Sequence, residues 1–336
     1  MPLVIGVDSS TQSTKVEARN AETGEVMGTG SAPHPQTQPP VSEQDPEAWW
    51  DALVAAVSQL PDEVRKGVAA ISVAGQQHGL VLVDSGGAVV RPAKLWNDTT
   101  SAEQASALVD GLGASRWAAL CRSVPVAAFT ITKLRWMADN EPESLARTDK
   151  IMLPHDYLTW RLTGRHTTDR GDASGTGWFD PVSNTYQSEL LTTAVDDAAS
   201  WLQRLPTIVA HDEAAGELTI EGARALGLSP GILVGAGSGD NMAAALGLGL
   251  TAGDVVMSLG TSGTIYSASA VPTADPSGAV AGFASASGEY LPLVCTLNAT
   301  RVTGAVAAWL GTDAAGLSAL ASEPSARFDG CTLVPY

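Results

Sequence analysis

Two short stretches of this sequence share one pattern: VIGVDSSTQSTK at residues 4–15 and SLGTSG at residues 258–263. In both, apolar residues lead into a turn of Gly, Ser and Thr, and residues typical of a strand follow the turn. The pattern therefore predicts a strand, a polar turn and a second strand at each place. Because the two copies are about 250 residues apart, they favour an internal duplication into two similar domains.

The residues around the first stretch predict three strands, a helix and a further strand. Strands are predicted at residues 3–7, around Val16 and Ala18, and at residues 25–30. Asp45-Pro46 then begins a helix with Pro at its first position, and a buried strand follows at residues 68–74. Three early strands before a crossover helix differ from a simple alternation of strand and helix, and we predict an α/β fold of that kind.

The middle of the chain is richer in helices, and the pattern of the opening then restarts. The middle predicts helices at 101–110, 130–139 and 157–162, a strand at 231–236 and a helix at 242–248. The second copy predicts strands at 254–259, 264–268 and 290–297, a helix at 302–310, and the start of another strand at 333–336. We therefore expect one domain at 1–247 with a helical insert, and the beginning of a second, incomplete domain at 248–336.

The composition narrows the class of protein and its surroundings. With 44% hydrophobic and 16% charged residues among 336, the chain can form a large core and is unlike a disordered protein. A formal net charge of −17 argues against general binding to nucleic acid or to an anionic membrane. Three cysteines without metal-ligand spacing, no signal peptide and no run of about 18 apolar residues predict a cytoplasmic protein.

The two polar turns are candidate phosphate sites. Their residues are Ser10, Thr11, Gln12 and Ser13 in the first turn, and Gly260, Thr261, Ser262 and Gly263 in the second. Small residues let backbone N–H groups approach an anion, and hydroxyl groups add donors. Asp8, at the end of the first strand, could hold Mg²⁺ through water. Each turn alone could equally be a plain hairpin, but the second copy favours a ligand with several phosphates that is held from two sides.

A third candidate is the segment GAGSGDN at residues 235–241. Three glycines precede Asp240 at the predicted start of a helix. An aspartate that caps the helix is the alternative interpretation. A capping residue does not need so many glycines, so the glycines favour close approach by a ligand or by the facing domain, with Asp240 as a functional carboxylate.

Two further segments carry polar groups without a positive charge. They contain Gln77 and His78 in GQQHG, and Trp96, Asn97 and Asp98 in LWND. Amides and an imidazole supply donors and acceptors that suit a neutral, hydroxyl-rich ligand, with the indole as an apolar wall. A satisfied polar loop is the alternative for either segment alone. Lys133, Arg135 and Trp136 lie in one predicted helix, where packing and solvated charge are expected.

These motifs, in this order, resemble the glycerol kinase/xylulokinase (FGGY) family of carbohydrate kinases, within the actin-like ATPase superfamily. Besides the stretches quoted above, the resemblance rests on SEQDPEAWW (42–50), SVAGQQHG (72–79), FTITKLRW (129–136), LPHDYLTWRLTG (153–164), GDASGTGWFD (171–180) and GAGSGDNMAAALG (235–247). It covers essentially the whole chain. The fold that it implies is the actin-like (ribonuclease H-like) fold, with two similar domains around a cleft.

The resemblance also implies an activity, which is transfer of a phosphoryl group from MgATP to D-xylulose to give D-xylulose 5-phosphate. Asp240 matches the catalytic base and Asn241 a substrate contact, while Gln77 and His78 match the pair that binds the ketose. Asp8 matches the acid near Mg²⁺, which we expect Asp240 to share. The two polar turns match the phosphate-binding turns for ATP. The expected partners are the sugar and ATP, without nucleic acid or membrane, and the chain is compatible with a homodimer.

The chain departs from the family in two ways. Many relatives have Gly where this chain has Ser10. Family members are also longer, and the segment that binds adenosine has no counterpart here. We therefore expect this chain to bind ATP poorly, to show little kinase activity and to aggregate.

Three other functions stay open from the sequence. One is a kinase of another neutral ketose or polyol, and the second is a non-catalytic sugar-binding fragment. The third is an actin-like or chaperone ATPase that binds a polypeptide, which GQQHG and LWND disfavour because they supply a small polar site.

Overall fold

A computed structural model describes residues 2–260, 262–296, 298–323, 330 and 333 of the chain. The opening contains β1 (Leu3–Ser9), β2 (Ser13–Asn20), β3 (Val26–Pro33), β4 (Glu43–Gln44), α1 (Pro46–Ser58), α2 (Asp62–Lys66) and β5 (Val68–Gly75). The predicted order of three strands, a helix and a strand is therefore confirmed. Among these described residues, no helix is both long enough and apolar enough to cross a membrane.

The middle of the chain consists mainly of short helices and strands. Its elements are β6 (Val81–Val83), β7 (Ala93–Lys94), α3 (Ala102–Leu112), α4 (Ala114–Cys121), α5 (Thr130–Asn140), α6 (Pro142–Ala146), β8 (Lys150–Met152), α7 (Pro154–Thr163), β9 (Thr167–Asp169), α8 (Arg170–Ala173), β10 (Phe179–Asp180), β11 (Thr185–Tyr186), α9 (Ser188–Ala194), α10 (Ala198–Leu202) and β12 (Thr207–Val209). The predicted helical insert is thus present, and it interrupts the main sheet between β5 and the strands that follow.

The remaining elements complete the main sheet and form a second one. They are β13 (Ala214–Glu217), α11 (Ile220–Leu226), β14 (Leu233–Gly235), β15 (Ser238–Gly239), α12 (Asp240–Gly247), β16 (Val255–Leu259), β17 (Gly263–Ser267), β18 (Ala281–Ala284), β19 (Tyr290–Thr296), α13 (Thr300–Trp309) and α14 (Ala314–Ala321). The strand predicted at 231–236 is shorter than expected, and the strand predicted at 333–336 lies outside the described residues except for Leu333.

The main sheet has the order β13-β14-β5-β1-β2-β3, and β15 pairs with the end of β5. β1 is antiparallel to β2 and parallel to β5, with Val7 opposite Val16 on one side and Val73 on the other. Alternate residues of β1 point into the core, because successive side chains of a strand face opposite sides of the sheet. The sheet therefore brings the carboxyl ends of β1, β5 and β15 to one edge.

One face of the main sheet is covered by α1, α7 and α11. Asp45 caps α1 by accepting the backbone N–H of Glu47, and Pro46 occupies the first turn as predicted. The apolar side of α1, including Trp49 and Leu53, is fully buried against the sheet. This core fixes the sheet on which the polar edge residues stand.

The second sheet has the order β16-β17-β19-β18, and all its neighbouring strands are antiparallel. The strands predicted near 254–259, 264–268 and 290–297 are observed, so the duplicated strand–turn–strand pattern is confirmed. β18 was not predicted, because its four residues, Ala-Gly-Phe-Ala, show no alternation of apolar and polar side chains. Phe283 of β18 packs in one core with the helical insert, which joins the two parts of the molecule.

Candidate functional site

A cavity of about 370 Å³ lies between the edge of the main sheet, the helical insert and the second sheet. This volume is in the range of about 300–1,000 Å³ that is typical of small-ligand sites. Nine predicted site residues line it: Ser10, Thr11, Gln77, His78, Trp96, Asp240, Asn241, Gly260 and Ser262. The others described, namely Asp8, Gln12, Ser13, Asn97, Asp98 and Gly263, are not part of its lining, and Thr261 lies outside the described residues.

The sheet explains why Gln77 and His78 lie close to Asp240. Gln77 and His78 follow directly after β5. β15 pairs parallel with the end of β5, at Ala74 and Gly75, and α12 begins at the next residue, Asp240. Since the carboxyl ends of neighbouring parallel strands lie at one edge of a sheet, side chains 160 or so positions apart in the chain come together there.

Asp240 is the central carboxylate of the cavity. Its Oδ1 atom accepts hydrogen bonds from the backbone N–H of Asn241 at 2.8 Å and from Asn241 Nδ2 at 3.0 Å. Burial raises the pKa of Asp240 to about 6, and the nearby charge of Asp8 acts in the same direction. A carboxylate with such a pKa is ionised at neutral pH and is better able to accept a proton than an ordinary aspartate.

Asn241 joins the two parts of the molecule across the cavity. Its Nδ2 atom donates to Gln77 Oε1 at 2.9 Å, and its Oδ1 atom accepts from the hydroxyl of Thr264 in β17 at 3.3 Å. The buried Nε2 atom of Gln77 has no hydrogen-bond partner in the protein. An unpaired buried donor is energetically costly, so this amide favours a partner that the described residues do not supply.

His78 is held in an unusual conformation beside this amide. Its backbone φ is +64°, in the left-handed region that non-glycine residues seldom adopt. Its ring stacks on Phe129 with centroids 5.3 Å apart, and its carbonyl accepts the hydroxyl of Thr130. Burial and the charge of Lys133 lower the pKa of His78 to about 3, so the imidazole is neutral at physiological pH.

The first polar turn is firmly attached to its surroundings. The Thr11 hydroxyl donates to Gln76 Oε1 at 3.0 Å and accepts from Trp96 Nε1 at 2.9 Å. Gln44 Nε2 donates to the Thr11 carbonyl, and the backbone N–H of Ser10 closes the turn. Thr11 thus connects a predicted phosphate turn with both predicted sugar segments.

The second polar turn faces the same cavity from the other side. The backbone N–H of Gly260 donates to the Ser262 carbonyl at 3.0 Å, which closes the turn. The Gly260 carbonyl accepts both the N–H and the hydroxyl of Thr300 at the start of α13. The two turns therefore approach one space from two sheets, as their repeated sequence predicts.

Asp8 lies beside this space and is partly exposed. Its carboxylate is 3.7 Å from Lys15 Nζ, and burial raises its pKa although Lys15 opposes that shift. No group of three or more His, Cys, Asp or Glu side chains within the described parts of the chain is arranged to hold a metal ion. Mg²⁺ is usually bound by one or two carboxylates together with substrate phosphates and water, so the oxygen donors Asp8 and Asp240 fit this ion.

Asp98 does not line the cavity and is instead buried among partners from its own part of the fold. Its side chain is completely buried, accepts the backbone N–H groups of Ser42 and Thr100, and lies 3.4 Å from Lys94 Nζ. Burial acts to raise the pKa of Asp98, but a hydrogen bond from the Thr100 hydroxyl, together with these partners, lowers it. Of the LWND segment, Trp96 alone among the predicted contacts reaches the cavity.

The glycines before Asp240 are approached closely, but by the protein's own side chains. A Cβ atom at Gly235 would lie 2.8 Å from Ser72 Oγ, and one at Gly237 would lie 2.7 Å from His155 Nδ1. At Gly239 it would lie 2.7 Å from Gln77 Cγ. The predicted need for glycine at these positions is thus met by close neighbours from the chain itself, namely Ser72, His155 and Gln77, while approach by a ligand stays a prediction.

A buried cluster of one histidine and three aspartates lies behind this glycine-rich turn. His155 Nε2 is 3.1 Å from Asp156 Oδ1 and 3.2 Å from Asp169 Oδ1, and Asp172 Oδ2 lies 3.4 Å from the same nitrogen. Burial opposes a charged imidazole, but the carboxylates outweigh it and raise the pKa of His155 to about 10. Asp169 also accepts the hydroxyl of Ser238, so the cluster is attached to the turn that carries Asp240.

The apolar wall of the cavity was missed by sequence reasoning. It is formed by Val124, Val126, Ala128 and Phe129 of the insert, by Phe283 and Leu293 of the second sheet, and by Val280 just before β18. Lys133, expected to be packed or solvated, is fully buried behind this wall. The one sequence feature that could have indicated the burial of Lys133 is its place at the fourth position of a helix. That feature is ambiguous without the tertiary structure.

The sequence and structure were compared with known proteins. A sequence profile described as "FGGY family of carbohydrate kinases, N-terminal domain" matches residues 3–247. A xylulose kinase of Streptomyces coelicolor is 52% identical over 93% of this chain, and one of Streptomyces rubiginosus is 49% identical over all of it. The chain spans 64% and 67% of the lengths of these two relatives.

Solved structures agree with the fold. A crystal structure of xylulose kinase from Bifidobacterium adolescentis has a TM-score of 0.84 and 41% identity, covering 96% of this chain and 70% of that one. The xylulose kinase of Rhodospirillum rubrum has a TM-score of 0.87 and 28% identity, covering 96% and 67% of the two chains. The predicted α/β fold of the actin-like ATPase type is therefore confirmed.

Proposed function

The chain belongs to the FGGY family of carbohydrate kinases, and from this premise we propose that the protein phosphorylates D-xylulose with ATP, giving D-xylulose 5-phosphate. The observation that carries the proposal is one cavity lined by Asp240, Asn241, Gln77 and His78, between two phosphate-type turns. Relatives that are about half identical to this chain carry the name xylulose kinase, which supports the choice of sugar.

The donors of the cavity suit a neutral sugar. Gln77 offers an unpaired amide N–H, and His78 offers an uncharged imidazole. No lysine or arginine lines the cavity among the described residues, so nothing there would neutralise a sugar acid or a sugar phosphate. The apolar wall around Phe129 would exclude water from the reacting hydroxyl, which otherwise competes as the phosphoryl acceptor.

Asp240 is the residue that we assign as the catalytic base. It would accept a hydrogen bond from the sugar hydroxyl and take its proton as the new P–O bond forms. Phosphoryl transfer passes through a loose transition state, so the orientation of the hydroxyl contributes more than the strength of the base. The raised pKa of Asp240 is suited to this task, because transfer is most efficient when the pKa of the base is near the working pH.

The two turns are the groups that we assign to ATP phosphates. Ser10 and Thr11 line the cavity from the first hairpin and Ser262 lines it from the second, and turns of small residues can offer backbone N–H groups and hydroxyls to phosphates. Asp8 and Asp240 would hold Mg²⁺, which neutralises phosphate charge when it is bound. Negative charge on the transferred phosphoryl group would then be stabilised by hydrogen-bond donors whose positions are already fixed. Such stabilisation is usually the largest contribution to catalysis of this kind.

Two measurements test the proposal. Calorimetry should detect D-xylulose binding to this 336-residue chain, and a protein of the relatives' length that contains this sequence should release ADP from MgATP when D-xylulose is added. D-ribulose and glycerol serve as matched neutral sugars and polyols. Equal or better use of one of these would replace D-xylulose by the other neutral substrate, and ADP release without any effect of sugar would contradict the kinase assignment.

A further inference from the structure

A buried lysine lies directly behind the apolar wall of the cavity. Lys133 Nζ donates to the carbonyls of Ala127 and Ala128 at 2.7 Å each, and to that of Phe129 at 3.5 Å. Its side chain is completely buried. Three successive carbonyls therefore converge on one ammonium group, which has three N–H donors to match them.

The segment held in this way forms part of the cavity. Val126, Ala128 and Phe129 line it, and the backbone N–H of Phe129 closes a turn onto the Val126 carbonyl. The Phe129 ring stacks on His78 at an interplanar angle of 6°. Lys133 therefore holds the segment that carries Phe129, and Phe129 in turn contacts the imidazole of His78, which lines the proposed sugar cavity.

The rest of the helix start supports the same segment. The Thr132 hydroxyl lies 2.8 Å from the Phe129 carbonyl and 3.2 Å from the Ala127 carbonyl. The Thr130 hydroxyl donates to the carbonyl of His78 itself. The beginning of α5 therefore controls both the wall and the left-handed backbone of His78, which an isolated loop would seldom adopt.

We propose that Lys133 is a positioning residue of the sugar cavity, which holds the wall at 126–129, and through it His78, by donating to three carbonyls. The inference rests on the proposed function, because it takes the cavity to be the sugar site. Loss of the ammonium would remove the hydrogen bond to the Ala128 carbonyl and would leave the Ala127 and Phe129 carbonyls with the Thr132 hydroxyl alone of these two side chains, so the wall would be held less firmly.

The charge of Lys133 depends on its neighbours. The titratable groups that act on it are Lys94 and Asp98, from the segment after β7, and its own charge acts on His78. Burial lowers the pKa of Lys133 to about 7, Asp98 opposes that shift and Lys94 adds to it. The ammonium is therefore lost as the pH rises through about 7, and one of its three donors is lost with the charge.

Calorimetry with D-xylulose tests the proposal on this chain. Lys133→Met keeps the length and apolar character of the side chain but removes all donors, and we expect affinity to fall about tenfold. Thr132→Val is the matched control that removes a hydroxyl from the same carbonyls but no ionisable group. From about pH 6.5 to about pH 8.5, wild type and Thr132→Val should lose affinity as Lys133 deprotonates, whereas Lys133→Met should lack that component.

Hydrogen exchange provides a readout that needs no sugar. At one pH, the amides of residues 126–129 should exchange faster in Lys133→Met than in wild type, while those of β1 stay unchanged. If wild type binds no D-xylulose but the segment still loosens, the sugar assignment fails and the positioning role stands. The inference would be overturned if Lys133→Met had the same affinity, pH dependence and exchange as wild type. It would also be overturned if Lys133→Met lost affinity but kept the pH dependence of wild type.

Discussion

The two hairpins that carry the polar turns have the same local structure and very different surroundings. In the first hairpin, β1 and β2 lie inside the main sheet, and Ile5 is only 2% exposed beneath α1. In the second, β16 and β17 pair in the same antiparallel way, yet Met257 is 60% exposed. The repeated sequence pattern thus specifies the hairpin but not what covers it.

The turns themselves differ in the same sense. Thr11 of the first turn is bonded to Gln76 and Trp96, which belong to two other segments. The second turn is bonded to the start of α13 through Gly260 and Thr300, which lies near it on the same side of the molecule. The polar turn of the first hairpin is therefore held by GQQHG and LWND, whereas the polar turn of the second hairpin is held by the start of one helix.

The largest effect is expected at Asp240, where the two regions meet. Asp240→Asn should lower the rate of phosphoryl transfer by about 10²–10⁴-fold, because the amide cannot accept the proton. The amide oxygen can still accept the N–H of Asn241, so the fold and sugar binding should change little. Xylulose-dependent ADP release by a protein of the relatives' length that contains this sequence, and calorimetry of this chain with D-xylulose, measure the two quantities. Near-normal turnover would remove Asp240 from the mechanism.

Paired core substitutions test the difference in covering. Ile5→Ala should lower the free energy of unfolding by about 2–5 kcal/mol, because it leaves a cavity under α1. Met257→Ala, at the matching strand of the second hairpin, should change it by no more than about 0.5 kcal/mol. Urea denaturation of the two variants gives both values. Equal losses would mean that the two hairpins are equally buried in solution.

Paired turn substitutions test the difference in attachment. Thr11→Val should cost about 1–3 kcal/mol of stability, because Gln76 and Trp96 both lose a partner in a half-buried place. Ser262→Ala keeps the backbone carbonyl that closes the second turn, so we expect a change within about 0.5 kcal/mol. Thermal denaturation without ligand makes the comparison. A larger loss at Ser262 would reverse the ranking of the two turns.

The smallest effect is expected at His78, which follows β5 of the main sheet but is not part of the first polar turn. His78→Ala should weaken D-xylulose binding by about 0.5–1.5 kcal/mol, the usual value of one hydrogen bond, and should leave ATP binding unchanged. Kinetics of a protein of the relatives' length that contains this sequence, with each substrate varied separately, distinguish the two. A change confined to the ATP parameter would place His78 on the nucleotide side.

The sequence was informative wherever a short local pattern carries the structure. It predicted the first hairpin, the start of α1 at Pro46 and the repeated hairpin, because turn residues and apolar spacing act within a few positions. It also selected nine residues that share one cavity, although their roles stay predictions.

What the sequence did not reveal depends on contacts between distant segments. β18 is too short and too uniform to show a period, and it is a strand because β19 pairs with it. Lys133 is buried because three carbonyls before α5 converge on it. Asp98 contacts Lys94 and Ser42 and does not line the cavity. No local sequence pattern predicts these contacts.

The cluster around His155 has a consequence for the calorimetry of this chain. Burial opposes its charge, but the carboxylates raise the pKa of His155 to about 10, so the folded chain keeps a proton that an unfolded imidazole gives up above about pH 6.5. The pKa of Asp172 is also raised well above its ordinary value, in this case by burial. The stability from each group is full below its unfolded pKa and is lost as the pH rises through its folded pKa. His155 therefore releases a proton on unfolding near neutrality, and the heat of unfolding will include the ionisation enthalpy of whichever buffer takes that proton up.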